Sequence, residues 1–337
     1  VITTTKFGDY QGEPVTCYTL ENARGTRLKV LSYAATWVDL QVLVNGAYQS
    51  LVTHFDTLAE YVATPYMVGK TVGRVAGRIR NAAFDLNGQH YQLTPNNGSH
   101  LLHGGEHGLQ THNFKGQYEP NGDSLTLTTT LLAAEDGFPG DLRVTVTYTL
   151  TATDEVQISY TGLSTATTLF NPTCHVYFNL AGPQALVNQQ RLQINSHKLV
   201  RTDREKLPTG VFYVPSPAYD FQQPVALQTK LTTLLHEVGK TEYDDCYVLD
   251  TPGMPAGRLA SSQHTLAFST DRNGLIIFTA NPQPELPHQL GEYHALAVEL
   301  QTLPDAIHHS GFGDIVLPAN QPRTFTNHYQ YLRHQTC

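Results

Sequence analysis

Charged residues are scarce in this chain. Asp, Glu, Lys and Arg make up 15% of its 337 residues, where a soluble protein carries roughly 25%. Acids outnumber bases 29 to 21, for a formal net charge of -8. Such a surface repels phosphate backbones, which argues against nucleic acid as a partner and favours a neutral ligand. Cysteine is scarce too. Cys17, Cys174, Cys246 and Cys337 form no CxxC pair, so neither a disulfide framework nor a zinc knuckle is expected. Each reads as a small buried hydrophobe. Scattered thiols, and no apolar leader in "VITTTKFGDYQGEP", fit a reducing, cytoplasmic setting. Apolar runs of about 18 residues, which would mark a membrane helix, are missing.

Helical periodicity is nearly absent. "ALQTKLTTLLHEV" (Ala226 to Val238) spaces its leucines by threes and fours and predicts one short helix. Period-2 alternation dominates instead. "DLRVTVTYTLT" puts Leu142, Val144, Val146, Tyr148 and Leu150 on one face and arginine and threonines on the other. That is a half-buried antiparallel strand. "DSLTLTTTLLA", "VQISYTGLS", "RLQINSHKLV" and "ALAVELQTL" read as further strands. "HTLAFSTDRNGLIIFTAN" predicts two strands in a hairpin around Asn-Gly. The chain is therefore expected to be all-β, one domain over residues 1–337, with two packed antiparallel sheets forming a large β-sandwich.

Histidine and carboxylate carry the chemical signal. "HLLHGGEHG" (His100 to Gly108) holds three histidines and a glutamate. On a helix, His100, His103 and His107 would share a face and suit a metal. Gly104, Gly105 and Gly108 each oppose a helix by about 1 kcal/mol. The segment reads better as a strand end entering a tight turn, where glycine lets backbone approach a ligand. Four other segments stand out. "NPTCHVYFNLAG" reads as an aromatic strand with His175 inside it. "AVELQTLPDA" places Glu299 inside an apolar strand, where a carboxylate must be outward or functional. "TEYDDCYVLD" has two adjacent acids. "TVGRVAGRIR" alternates Arg74, Arg78 and Arg80 with small and apolar residues.

In order and spacing these segments resemble the aldose 1-epimerases, the galactose mutarotases. "GRVAGRI" resembles the family's "GRxANRI", Leu102 to Gly105 its "LHGG", and "DGFPG" its "DGxPG" turn. "CHVYFNLAG" resembles its "NHxYFNLAG", "DDCYVL" its "DHxFVL" and "ELQTLPDA" its "ETQxxPDA". The resemblance covers nearly the whole chain. It implies a large antiparallel β-sandwich with no metal and no cofactor. It implies Glu299 as general base and His175 as general acid, with Arg78, His103 and Asp244 binding the sugar. The implied activity interconverts the α and β anomers of free aldohexoses such as glucose and galactose. The implied partner is a small monosaccharide, with no nucleic acid, no membrane, and a monomeric or homodimeric chain.

The departures are local. Gly77 stands where the family has Asn, Asp245 where it has His, and Ile276 where many members have a sugar-contacting Gln. They leave open a non-catalytic or weakly active carbohydrate-binding member of the same fold. A hexose-6-phosphate 1-epimerase is a further alternative, against which the acidic balance argues. As acid, His175 must carry a proton, although free histidine is mostly neutral at pH 7. Glu299 and Asp244 nearby are expected to favour the charged imidazole. His100, Glu106, His107, His308 and His309 are expected to be loop residues without a catalytic part.

Overall fold

Alternation in the sequence becomes alternation in burial. The strand Leu142–Leu150 buries every second side chain and turns its threonines outward. A computed structural model describes residues 1–333 of the chain. Its larger sheet has nine strands, in the order Lys115–Tyr118, Ser124–Leu131, Leu142–Leu150, Glu155–Ser164, Arg323–Leu332, Thr265–Thr270, Pro255–Ala260, Arg191–Ile194 and Val225–Ala226. A six-stranded sheet runs Tyr177–Phe178, Ala295–Gln301, Gly274–Ala280, Asp244–Val248, Lys198–Thr202 and Pro208–Tyr213. All ladder pairs in both are antiparallel. The all-β expectation holds. To the two expected large sheets the structure adds a third, a five-stranded meander from Ile2 to Ser50. One buried apolar cluster draws on residues of all three, from Ile2 to Tyr331, with Trp37 at 0% exposure packed edge-on against Tyr148, Phe178 and Tyr329.

Helix is confined to short pieces. Leu58–Ala63 starts at a capping box between Thr57 and Glu60. Leu227–Val238, the helix expected from the leucine spacing, stops at Gly239 in a left-handed conformation. Among the described residues no helix is long and apolar enough to cross a membrane. Cys17, Cys174 and Cys246 are buried and free, as expected; Cys337 lies outside the described residues.

One strand expectation is corrected. Thr265–Thr270 and Gly274–Ala280 are strands, but they do not form a hairpin with each other. The first belongs to the nine-stranded sheet and the second to the six-stranded one. Between them Arg272 turns inward and is 3% exposed. Its guanidinium donates to the carbonyl oxygens of Pro172 and Leu300 and to Asn327 Oδ1. Those bonds draw the connection into the core, so the chain changes sheet instead of folding back. "RLQINSHKLV" likewise splits at Asn195–His197 into two strands, one in each sheet. These crossings bring the six-stranded sheet against the loops that carry the histidines.

Candidate active site

Glu299 lies in the middle of Ala295–Gln301, a strand whose seven residues are all buried. It pairs with Ile276 on one neighbouring strand. Its carboxylate is inward, at 5% exposure. His175 does not sit within a strand, contrary to the sequence reading. It bridges Thr173–Cys174 and Tyr177–Phe178. Its backbone is clamped on both sides, its N–H donating to Lys70 O and its carbonyl accepting from Gly69 N–H. That clamp aims the imidazole at the glutamate, with Nε2 3.5 Å from Glu299 Oε1. His175 Nδ1 has no hydrogen-bond partner.

His103 arrives on the turn that follows Leu101–Leu102. It is itself left-handed at φ 52°, as are Gly104 and Gly105. A Cβ on Gly104 would stand 2.0 Å from Gly73 O, so only glycine lets these two backbones touch. Gly77 and His103 exchange two bonds. His103 N–H donates to Gly77 O at 2.9 Å, and Gly77 N–H donates to His103 Nδ1 at 3.2 Å. An Nδ1 that accepts must be unprotonated, which fixes the neutral ring with its hydrogen on Nε2. Burial, then the neighbouring His175 and Arg78, push its pKa well below the ordinary histidine value. His103 is therefore a fixed donor at neutral pH. Its ring meets that of His175 edge-on at 5.4 Å.

Arg78 pairs through backbone with Leu102 and donates from Nε to Asn97 Oδ1 at 3.1 Å. Asp244 opens the strand Asp244–Val248 beside Phe278 and is paired with Lys206. All five expected residues, Arg78, His103, His175, Asp244 and Glu299, line one cavity of about 320 Å³. That volume is in the range of a small-molecule site. The other motif arginines go elsewhere. Arg74 is buried and paired with Asp136 of the "DGFPG" turn, and Arg80 pairs with Asp203. His100 was expected in a loop but is buried, accepting from Asn81 N–H. His308 and His309 lean on the buried Asp305.

The electrostatics correct the charge expectation for His175. Burial pushes its pKa down to about 4, against only a partial upward pull from its own backbone and Asp244. Burial, and the nearby Asp244, push Glu299 up to about 8, with Arg78 pulling the other way. Desolvation wins over the local acidic charge because both side chains are almost wholly buried. Between those two values the pair holds one proton.

The departures from the family pattern also lie on the cavity wall. Gly77 is left-handed at φ 75°, and an added Cβ would press on Pro304 Cβ at 3.0 Å. Asp245 is paired with Lys240, and Ile276 presents an apolar surface opposite Glu299. Sequence reasoning passed over Gln301, Tyr177, Lys206, Tyr66 and Phe278, which line the same cavity. Gln301 had a legible signal, since two residues beyond Glu299 on a strand is the same face. Its Oε1 is buried without a partner. The others come from separate elements and had no local signal. His103, His175 and Glu299 each offer a ligand atom within 4.8 Å of the others, a donor set that zinc could use.

Comparison with known proteins gives these contacts a family. The aldose 1-epimerase family model matches residues 16–330. A maltose epimerase from Levilactobacillus brevis is 41% identical over 98% of this chain and 99% of its own. An aldose 1-epimerase from Streptococcus thermophilus is 32% identical over 96% of each. Among solved structures, an aldose epimerase homologue from C. elegans superposes with a TM-score of 0.84 at 26% identity, covering 94% of this chain and 98% of that one. A galactose 1-epimerase from Lactobacillus acidophilus has the same fold, with a TM-score of 0.85 at 23% identity and 99% coverage of both. The chain belongs to the aldose 1-epimerase family of isomerases.

Proposed function

We propose that the chain interconverts the α and β anomers of a free aldohexose at the Glu299–His175 pair, with residues 1–337 acting as one domain. The observation that carries the reading is the 3.5 Å approach of two buried, oppositely shifted groups inside a hexose-sized cavity. The hydroxyl oxygen and the ring oxygen at C1 share one carbon. Adjacent base and acid atoms suit them.

In the ring-opening step Glu299 carboxylate takes the proton of the C1 hydroxyl. That oxygen's electrons form the C1 carbonyl, the bond from C1 to the ring oxygen breaks, and the ring oxygen takes the proton of His175 Nε2. C1–C2 then rotates, and the reverse transfers close the ring on the other face. The single proton held between pH 4 and 8 is the right stoichiometry, since the reacting form needs Glu299 charged and His175 protonated. His103 Nε2–H, Arg78 and Asp244 supply donors and acceptors that hold the rest of the sugar. Of the two cations on the wall, Lys206 is already paired with Asp244, which suits a neutral sugar better than a phosphorylated one. The name of the Levilactobacillus brevis relative supports a glucose-type reducing ring.

Polarimetry of freshly dissolved α-D-glucose and α-D-galactose tests this. The protein should speed relaxation to the equilibrium rotation, with a bell-shaped pH profile. Activity should fall as pH drops through about 4, where the base is lost, and as it rises through about 8, where the acid is lost. Glu299→Gln should lose roughly 10²–10⁴-fold in kcat. Full activity in that variant removes Glu299 from the role of base.

A further inference from the structure

Gln301 ends the glutamate strand and lines the catalytic cavity, yet the chemistry above gives it no part. It stands two residues beyond Glu299, so both side chains leave the strand on the same face, with backbones about 7 Å apart. Glu299 and His175 line the cavity at 5% and 6% exposure, and Gln301 does so at 1%. Its amide is underused. Oε1 accepts no hydrogen bond. Nε2 makes one, to Thr302 O at 3.3 Å, and that carbonyl already accepts from Asn171 Nδ2 at 3.0 Å. Among the described residues the amide therefore keeps a vacant acceptor and a vacant N–H. Buried amides are rarely left in that state, because desolvation without a partner is costly.

The surroundings keep the amide clear of other side chains. Gly274 lies directly across the ladder from Gln301, where a longer residue on that face would lie against it. Gly77 approaches from the cavity wall. A Cβ added there would stand 3.4 Å from Gln301 Nε2 and 3.0 Å from Pro304 Cβ. Gly77 is also a position at which this chain departs from the family's Asn. A side chain at that place would begin in contact with the amide nitrogen, and glycine leaves the nitrogen bare. The two vacancies and the two glycines are separate observations. Both point to a small polar group arriving from the cavity.

We propose that the Gln301 amide binds one sugar hydroxyl other than that on C1, and so selects among aldoses by the presence of that hydroxyl. The proposal rests on the anomerase reading above. A hydroxyl both donates and accepts, so it can fill Oε1 or the free N–H. With the C1 hydroxyl at Glu299, the spacing along the strand carries the amide past C1, to the part of the ring that bears the other hydroxyls. An amide is uncharged. It adds this contact without adding charge beside the Glu299–His175 pair, whose single proton the reaction needs.

Polarimetry of glucose and of four deoxyglucoses, each lacking one hydroxyl other than that on C1, tests this. Both kcat and KM are measured in the native chain, in Gln301→Met and in the smaller Gln301→Ala. Circular dichroism and thermal unfolding confirm that the variants are folded, and one folded variant suffices. The native chain should lose about tenfold in kcat/KM on at least one deoxy sugar relative to glucose, the worth of one hydrogen bond. The variant should lose about tenfold on glucose, chiefly as a higher KM, and nothing further on that deoxy sugar. The native discrimination then disappears at one hydroxyl. A native chain that treats all five sugars alike overturns the contact and leaves the catalytic pair standing. A variant that loses the same factor on all five, or none on any, overturns it as well, as does a loss confined to kcat. Those results belong to a residue that shapes the strand around Glu299 or does nothing at the site. A native chain that accelerates none of the five overturns the anomerase reading itself, and the contact with it.

Discussion

Glu299 occupies a position where charge is costly. A carboxylate at 5% exposure beside Asp244 is forced toward its neutral form. Its raised pKa has a stability consequence with a definite sign. The unfolded chain releases this proton near 4.5 and the folded chain near 8. Folding is therefore progressively penalised as pH rises through that interval and gains nothing further above it. Glu299→Gln removes the titration. Urea unfolding should show the variant more stable than the native chain by a few kcal/mol at pH 8.5, with the difference fading by pH 4.5. A difference independent of pH would show that packing, not the buried charge, sets it. The same variant should be nearly inactive, so stability and activity would move in opposite directions at one residue. The positions that meet in the cavity were legible where a motif carried them, as with Glu299, His175 and His103. Their ionisation was not, because burial is a property of the assembled core. The sequence places acids near His175 but does not reveal how deeply its ring is buried.

At the scale of elements, turns decide where the side chains go. The strands Leu142–Leu150 and Glu155–Ser164 of the nine-stranded sheet were readable because each buries one face, so hydrophobicity alternates along them. Their partners were not readable. Asp271 to Gly274 has the composition of a hairpin turn, yet Arg272 finds its acceptors in the core and the chain changes sheet. Local turn chemistry was outweighed by hydrogen bonds to residues about 28 to 100 positions away. The turn at Gly104 is the converse case, in which the glycine pair was a sound local signal. Its backbone touches that of Gly73, and His103 is seated by bonds to Gly77. Gly104→Ala places a Cβ against Gly73 O in a left-handed conformation. It should cost roughly 2–4 kcal/mol in denaturant unfolding and weaken sugar binding through the displaced His103. A neutral effect on both would mean that the turn relaxes without moving the histidine.

At the scale of the whole molecule, one carboxylate joins distant parts of the chain. Asp154 sits in the turn between Leu142–Leu150 and Glu155–Ser164, fully buried. It accepts from Asn22, Arg24 and Thr26 of the five-stranded sheet's second turn and from Arg333 beyond the last strand. Burial raises its pKa, but hydrogen bonds from Arg333, Asn22, Thr26 and Arg24 outweigh that and hold it at about 2. This stabilisation is full above about pH 4 and is lost as pH falls toward 2. Asp154→Asn should lower stability by about 2 kcal/mol at pH 7. The loss should shrink on acidification, as read by urea unfolding at pH 7, 4 and 3. An equal loss at all three would assign the effect to geometry rather than charge. Nothing in "TATDE" announced this knot, since its partners lie about 130 and 180 positions away.

The one-proton pair has a further meaning under the proposed roles. Ring opening moves a proton onto Glu299 and takes one from His175. The pair is then left neutral on both sides. Neutral on both sides is also how burial sets these two groups when the cavity is empty. The resting protein is thus poised for the linear aldehyde rather than for either cyclic anomer. Neither anomer is privileged by that arrangement. The protein stands at the midpoint of the path it accelerates, and the sugar's own equilibrium decides on which side each passage ends.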